Sequence, residues 1–278
     1  MADEELVFDD SGLNVWADEE RFDVTAQRIA EYAAATNDPI DSHRNGVIAS
    51  PVFAIVPVFE AMLTPAVDVL PIQAIPRIVH GEQDFHFHRA ISPGDKLVSR
   101  AKMTGFEGME NGTRATILVE CRTEDGDLVN EQYVTTFVRG INAGRSVGVL
   151  SPTHKFDEAL RAEVPLAKVS QHVDNDQTFR YSPASGDPMP IHLDEDVAKS
   201  AGLPGIIAHG LCTMAFTSWA VLTEVGDSDV NRLRRFAVRF SKPVLPGADL
   251  QTQIWKTGSA NGFGERRHHL RIRDHCRR

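Results

Sequence analysis

The chain has 278 residues, of which 42% are hydrophobic and 24% charged, with a net charge of -10 at pH 7 and a mean hydropathy of -0.24. These values describe a chain able to bury a core, and they exclude disordered and fibrous classes. The acidic balance leaves no overall basic field for a polyphosphate or an anionic membrane surface, so nucleic acid is not expected as a partner.

The start, Met1-Ala2-Asp3-Glu4-Glu5, is acidic where an export signal would be basic and then apolar, which gives the expectation of a cytoplasmic location. A helix is expected after the cap residue Thr25, with Ile29, Tyr32, Ala33 and Thr36 on one face, ending at Asn37-Asp38-Pro39. The longest apolar stretch, 47–59, is interrupted by Ser50, Pro51 and Pro57 and falls short of the roughly 20 residues a bilayer requires, so no membrane span is expected. Strands are expected over 96–104, 113–122 and 130–138, entered by the turn at Pro93-Gly94, and the weakly periodic stretch 142–168 reads as a linker. Further on, Asp194 caps a short helix that stops at Gly202, and 210–225 reads as a helix that is apolar or small on nearly every face, hence enclosed. Strands over 236–240 and 249–256 follow, around Pro246-Gly247. The residues from 266 to 278 are strongly basic and lack strand alternation, which suggests an altered or frameshifted terminus with the closing strand missing. Cys121, Cys212 and Cys276 are odd in number and far apart, fitting reduced thiols better than a disulfide framework or zinc knuckles.

The two halves repeat each other in three collinear blocks. Tyr32 to Pro39 falls on Tyr181 to Pro188, Gly46 to Pro51 on Gly205 to Gly210, and Phe87 to Gly105 on Phe240 to Gly258. The second copy carries Ala184-Ser185-Gly186-Asp187-Pro188-Met189-Pro190-Ile191-His192-Leu193-Asp194, followed by Ile207-Ala208-His209-Gly210. This pattern resembles the MaoC-like (R)-specific enoyl-CoA hydratases and dehydratases, and with the internal repeat the resemblance covers nearly the whole chain. The resemblance implies an α+β double hot-dog fold, two units each with a curved antiparallel sheet wrapped around a central helix. The expected units are a degenerate one at 1–141 and a catalytic one at 169–278, joined by the linker 142–168. It also implies that Asp187 and His192 are the catalytic dyad and that the backbone of Gly210 is the oxyanion donor. The chain departs from the family at Met189, where Asn is usual.

The chemistry asks for these residue types independently. Adding water to a trans-2-enoyl thioester requires a base, an acid and donors for the enolate-like oxygen, and a carboxylate and an imidazole can share one water. Gly210 opens the enclosed helix, where unpaired N–H groups point outward. No cofactor is expected, since coenzyme A belongs to the substrate, and no metal set is identified: His86 and His88 share a strand face but lack a third ligand. His209 is a candidate for fixing the loop or binding substrate, while Arg239 and Lys242 are weaker candidates for carrier phosphates. In the first copy Asp38 matches Asp187, but no counterpart of the Pro-x-His step is recognised, Ser50 replaces His209, and Pro51, with no N–H, replaces Gly210. That unit is expected to be catalytically empty and to widen an acyl tunnel for medium, long or bulky chains.

The favoured function is a hydro-lyase acting on an acyl-CoA thioester, in either direction, within fatty acid or lipid metabolism. The alternatives are a 3-hydroxyacyl-carrier-protein dehydratase and a non-catalytic acyl-thioester-binding subunit. Hot-dog units commonly pair, so a homodimer is also expected.

Overall fold

The computed structural model describes residues 6–259 and 268–277. The first unit opens with β1 (Glu20–Asp23) and α1 (Ala26–Ala35). Thr25 caps α1 by accepting the Arg28 N–H at 3.1 Å, and Ile29, Tyr32, Ala33 and Thr36 are buried, as the spacing requires. After the single turn α2 (Asp41–Arg44), the chain enters a 3-10 run, Pro51–Val58, in which every residue is buried, and continues as α3 (Phe59–Val69). The apolar stretch thus reaches Val69 rather than ending at Phe59. Together, Pro51–Val69 is long and apolar enough to cross a membrane, but 72% of it is buried in the protein, as befits a core helix.

Four long strands wrap this helix: β2 (Ile78–Phe87), β3 (Lys96–Met109), β4 (Gly112–Thr123) and β5 (Leu128–Arg139). Leu97, Ala101, Met103, Ile117, Val119, Val134 and Val138 are buried, giving the sheet its apolar face. The expected linker contributes structure instead: β6 (Ser146–Gly148) adds to β3, and β7 (Ala167–His172) begins before residue 169.

The second unit repeats the plan with β7, α4 (Gln177–Ser185), α5 (Glu195–Ser200), α6 (Gly210–Val225), β8 (Arg235–Arg239), β9 (Asp249–Ser259) and β10 (His268–Arg277). Asp194 caps α5 by accepting the N–H groups of Asp196 and Val197. Nearly all of α6 from Leu211 to Leu222 is buried, as its composition demands. The tail corrects the sequence expectation, because residues 268–277 do form a strand, paired antiparallel with β9. What the second unit lacks among the described residues is a counterpart of β5. Strand order is β1-β3-β4-β5-β2-β8 in the larger sheet and β10-β9-β7 in the smaller.

The units are joined where β2 pairs antiparallel with β8, with Asp84 opposite Ala237. These two residues are counterparts in the repeat, so the ladder is centred on a local two-fold axis. Tyr32 and Tyr181, also counterparts, meet hydroxyl to hydroxyl at 3.2 Å. At the seam, the buried Asp84 accepts from Arg235 Nε at 2.9 Å and Nη2 at 2.7 Å. Burial works to raise the Asp84 carboxyl, but bonds from His86 and Arg235 outweigh it and hold the group below its usual range. Asp84→Asn is therefore expected to loosen the seam and cost about 1–2 kcal/mol, discounted for the partly exposed Arg235. Urea unfolding checks this; an unchanged midpoint would contradict it.

Candidate active site

The turn that carries Asp187 is set by α4, which closes on Gly186 in the left-handed region (φ 83°). The Asp187 carbonyl oxygen accepts from Ser182 Oγ at 2.7 Å and lies 3.3 Å from His209 Nε2. Its carboxylate Oδ1 accepts the Met189 N–H at 3.0 Å. This accounts for the departure at Met189: the side chain is exposed, and the backbone does the work at that position. A 3-10 turn, Pro190–His192, then brings the His192 ring inward, with Nδ1 at 2.8 Å from the Ile207 carbonyl oxygen. A carbonyl only accepts, so Nδ1 carries the proton and the Nε2 lone pair is free.

One ligand atom from each of Asp187, His192 and His209 lies within 4.8 Å of the others. A water bonded at about 2.8 Å to two partners in tetrahedral geometry bridges about 4.6 Å, which falls within the 4.8 Å limit on the gap between Asp187 and His192. Asp187 and His192, five residues apart, are thus brought together across the Pro190–His192 turn. His209 sits beneath them, its ring stacked on His192 at 3.8 Å and tilted against Tyr181 at 4.9 Å between centroids. It therefore touches both the Asp187 main chain and the His192 ring.

The first unit contains a pair that sequence comparison missed. His43 follows Asp38 at the same five-residue spacing that separates His192 from Asp187, and its Nδ1 lies 2.7 Å from Asp38 Oδ2. Both side chains are sealed from solvent, at 0% and 1% exposure. The signal was the spacing itself, obscured because Ile40, Asp41 and Ser42 stand where the second copy has Met189, Pro190 and Ile191. Direct contact leaves no place for a bridging water, so this pair is closed while the Asp187–His192 pair is open. Ser50 Oγ is buried without a hydrogen-bond partner.

Electrostatics reinforce the contrast in the second unit. Burial raises the Asp187 carboxyl, against the Met189 N–H and His192, which act to lower it. Burial likewise lowers His192, opposed by its bond to Ile207 and by Asp187, and with His192 it drives His209 down to about 3.

Gly210 opens α6, and its cap residue His209 supplies no side-chain bond to the first N–H groups. The His209 carbonyl accepts a 3-10-type bond from Cys212 and an α-type bond from Thr213, so the helix's own ladder does not engage the Gly210 and Leu211 N–H groups. The absence of a side chain is needed for a further reason: a Cβ on Gly210 would lie 3.0 Å from the Phe240 ring. Phe240, not identified from the sequence as a site residue, lies against Gly210 and packs edge-on against His80 at 5.1 Å. Its alignment with Phe87 was the available signal. Arg239 is highly exposed and lies 3.9 Å from Glu82, while Lys242 is exposed beside Phe240. Neither is brought to the dyad by a described contact. His86 and His88 face separate carboxylates, Asp84 at 3.2 Å and Glu131 at 3.0 Å, rather than a common centre. Cys121 and Cys212 are buried free thiols; the side chain of Cys276 lies outside the described residues.

These shifts carry signs that stability measurements read. His192 and His209 have lowered pKa values, so their contribution is present above the ordinary histidine range and is lost as pH falls through it, because the unfolded chain then binds protons the native state refuses. Asp187 has the opposite sign: its raised value favours the native state at low pH and costs stability as pH rises through it. Thermal unfolding is expected to drop between pH 7.5 and 5.5, less steeply in His209→Asn. Asp187→Asn is expected to melt at or above the parent temperature at pH 7.5, and a marked loss there would contradict the burial account.

Two family models match the chain, the MaoC like domain over residues 158–273 and the FAS1-like dehydratase domain region over 11–132. A probable enoyl-CoA hydratase 2 of Dictyostelium discoideum is 31% identical over 182 residues, which is 64% of this chain and 60% of that protein. The peroxisomal enoyl-CoA hydratase 2 of Arabidopsis thaliana is 27% identical over 266 residues, covering 86% of this chain and 84% of the relative. The crystal structure of a MaoC-like dehydratase from Phytophthora capsici superposes with a TM-score of 0.77 at 25% identity, covering 90% of this chain and 88% of that one. The chain spans less than two thirds of the Dictyostelium relative and 37% of a Drosophila peroxisomal multifunctional enzyme type 2 that it also matches. The second half of the chain thus carries a MaoC like domain and the first a FAS1-like dehydratase region, and the two repeated units around a local two-fold make up a double hot-dog fold.

Proposed function

We propose that the second unit adds water across the double bond of a trans-2-enoyl-CoA to give an (R)-3-hydroxyacyl-CoA, or removes it in reverse. The observation that carries this is that Asp187 and His192 present ligand atoms within 4.8 Å of each other, beside the open N-terminus of α6. His192 Nε2, with Nδ1 anchored on Ile207, takes a proton from the water as its oxygen bonds to C3. The Asp187 carboxyl, raised by burial, delivers a proton to C2, and transfer between the two groups resets them, so the net addition is one H and one OH. The electron pair displaced onto the thioester oxygen in between is met by the Gly210 N–H and the positive end of α6.

The acyl chain is proposed to be medium, long or bulky. Supporting this, the central helix of the first unit is a 3-10 run interrupted by Pro57 and continued through Pro65, whereas α6 is unbroken. Such turns have poorer hydrogen-bond geometry than an α-helix, so this run is the less rigidly bonded of the two central helices. We further propose a cytoplasmic location and a self-associating chain, which fractionation and light scattering would test.

Loss of enoyl absorbance with crotonyl-CoA and longer substrates provides the assay. Asp187→Asn and His192→Ala are each expected to lower kcat by about 10²–10⁴-fold, with KM changed far less. Parent protein as silent as both variants at every chain length would overturn the enzyme reading in favour of a non-catalytic thioester-binding unit.

A further inference from the structure

We propose that Asp187, His192 and His209 also form a binding site for a divalent metal of the zinc class, occupied in competition with the enoyl thioester. The donor set is two imidazoles and one carboxylate, the composition that holds zinc through three protein ligands with a fourth position open. It suits Zn²⁺, Co²⁺ or Ni²⁺ and not Mg²⁺ or Ca²⁺, which require an oxygen shell. The three ligand atoms already lie within 4.8 Å of one another. A tetrahedral zinc with bonds of about 2.0–2.1 Å places its donors about 3.3 Å apart, so closure requires only side-chain rotation.

Two features prepare the site. His192 Nδ1 is held 2.8 Å from the Ile207 carbonyl oxygen, the outer contact that orients a ligating histidine and leaves Nε2 as the donor. His209 is 1% exposed, yet its Nδ1 has no hydrogen-bond partner. A buried nitrogen left unpaired in this way is costly, and a metal would satisfy it. In the metal-free geometry the His192 and His209 rings stack at an angle of 28°, an arrangement in which both cannot point at one metal. Binding therefore turns the His209 ring, which gives up its 3.3 Å contact to the Asp187 carbonyl together with its present stacking on His192 and its tilted packing against Tyr181. The closed pair in the first unit offers no such site, because Ser50 stands where His209 would be and His43 is engaged with Asp38.

The metal site stands on donor geometry, whereas its effect on catalysis rests on the hydratase reading. A bound metal would take the carboxylate and the Nε2 lone pair that hold the water, so it would inhibit rather than assist. Calorimetric titration of chelator-treated full-length protein with zinc chloride is expected to show one saturable site per chain from this cluster. Asp187→Asn and His209→Phe should each weaken it by about 10–100-fold or more, with melting curves confirming that both variants are folded. Cobalt chloride should give the visible absorption of a four-coordinate centre, lost in the same variants. The tail residues His268, His269, His275 and Cys276 supply competing donors, so the titration is repeated with these four replaced, and the site should remain. Absence of saturable binding, or binding that survives Asp187→Asn but vanishes with the tail variant, would overturn the proposal. Hydration by metal-free protein is assayed separately: active protein that binds no zinc refutes the metal site alone, and silent protein that binds zinc refutes the hydratase reading alone.

Discussion

The pairing of β2 with β8 is the constraint on which the rest of the molecule depends. Because Asp84 opposes its own counterpart Ala237, the ladder fixes a two-fold relation between units whose sequences have diverged. That relation brings Tyr32 against Tyr181 and sets α6 against the Pro51–Val58 run, so a single apolar core extends through both units. The seam carries a buried carboxylate rather than an apolar pair, which is costly unless matched, and the two bonds from Arg235 provide the match. A slip of one residue would turn Phe85 and Phe236 from the core and strand Asp84 without its partner.

Within this symmetric frame the two active-site turns differ by small substitutions with large chemical consequences. Each retains an aspartate and a histidine five residues apart. In the first unit the imidazole Nδ1 turns to the carboxylate itself, while in the second it turns to a backbone carbonyl, which frees both functional groups for a shared water. His209 supports that open arrangement by holding the Asp187 main chain and lying under the His192 ring. Ser50 can do neither, and Pro51 has no N–H to offer where Gly210 has one. The first unit thus keeps both members of the pair, locked in direct contact and buried.

Much of this architecture was legible in the sequence because it rested on strong local patterns. The helix at 210–225 could be read at both ends, since few exposed helices are apolar on every face, and three long strands followed from alternation. Of β2 only the end around His86 read as strand, because the seam buries Gln83 and Asp84 next to Phe85, a polar run that alternation rules score as loop. β1 and β7 are short, and β10 has a basic sequence without an alternating apolar pattern, so its pairing with β9 came only from tertiary context. The Asp187–His192 motif could be located, but the state of the dyad could not, because a hydrogen bond to Ile207 rather than to the partner carboxylate leaves no trace in residue identity. Phe240 escaped notice for a related reason: its role comes from the space Gly210 leaves, seen only when the two elements pack.

The open and closed dyads make the most direct test a comparison of like substitutions in the two units. Measured as kcat/KM for hydration of a trans-2-enoyl-CoA, Asp38→Asn is expected to remain within a few-fold of the parent, while Asp187→Asn falls by about 10²-fold or more. Equal losses in both variants, or a greater loss at Asp38, would contradict the assignment of catalysis to the second unit alone.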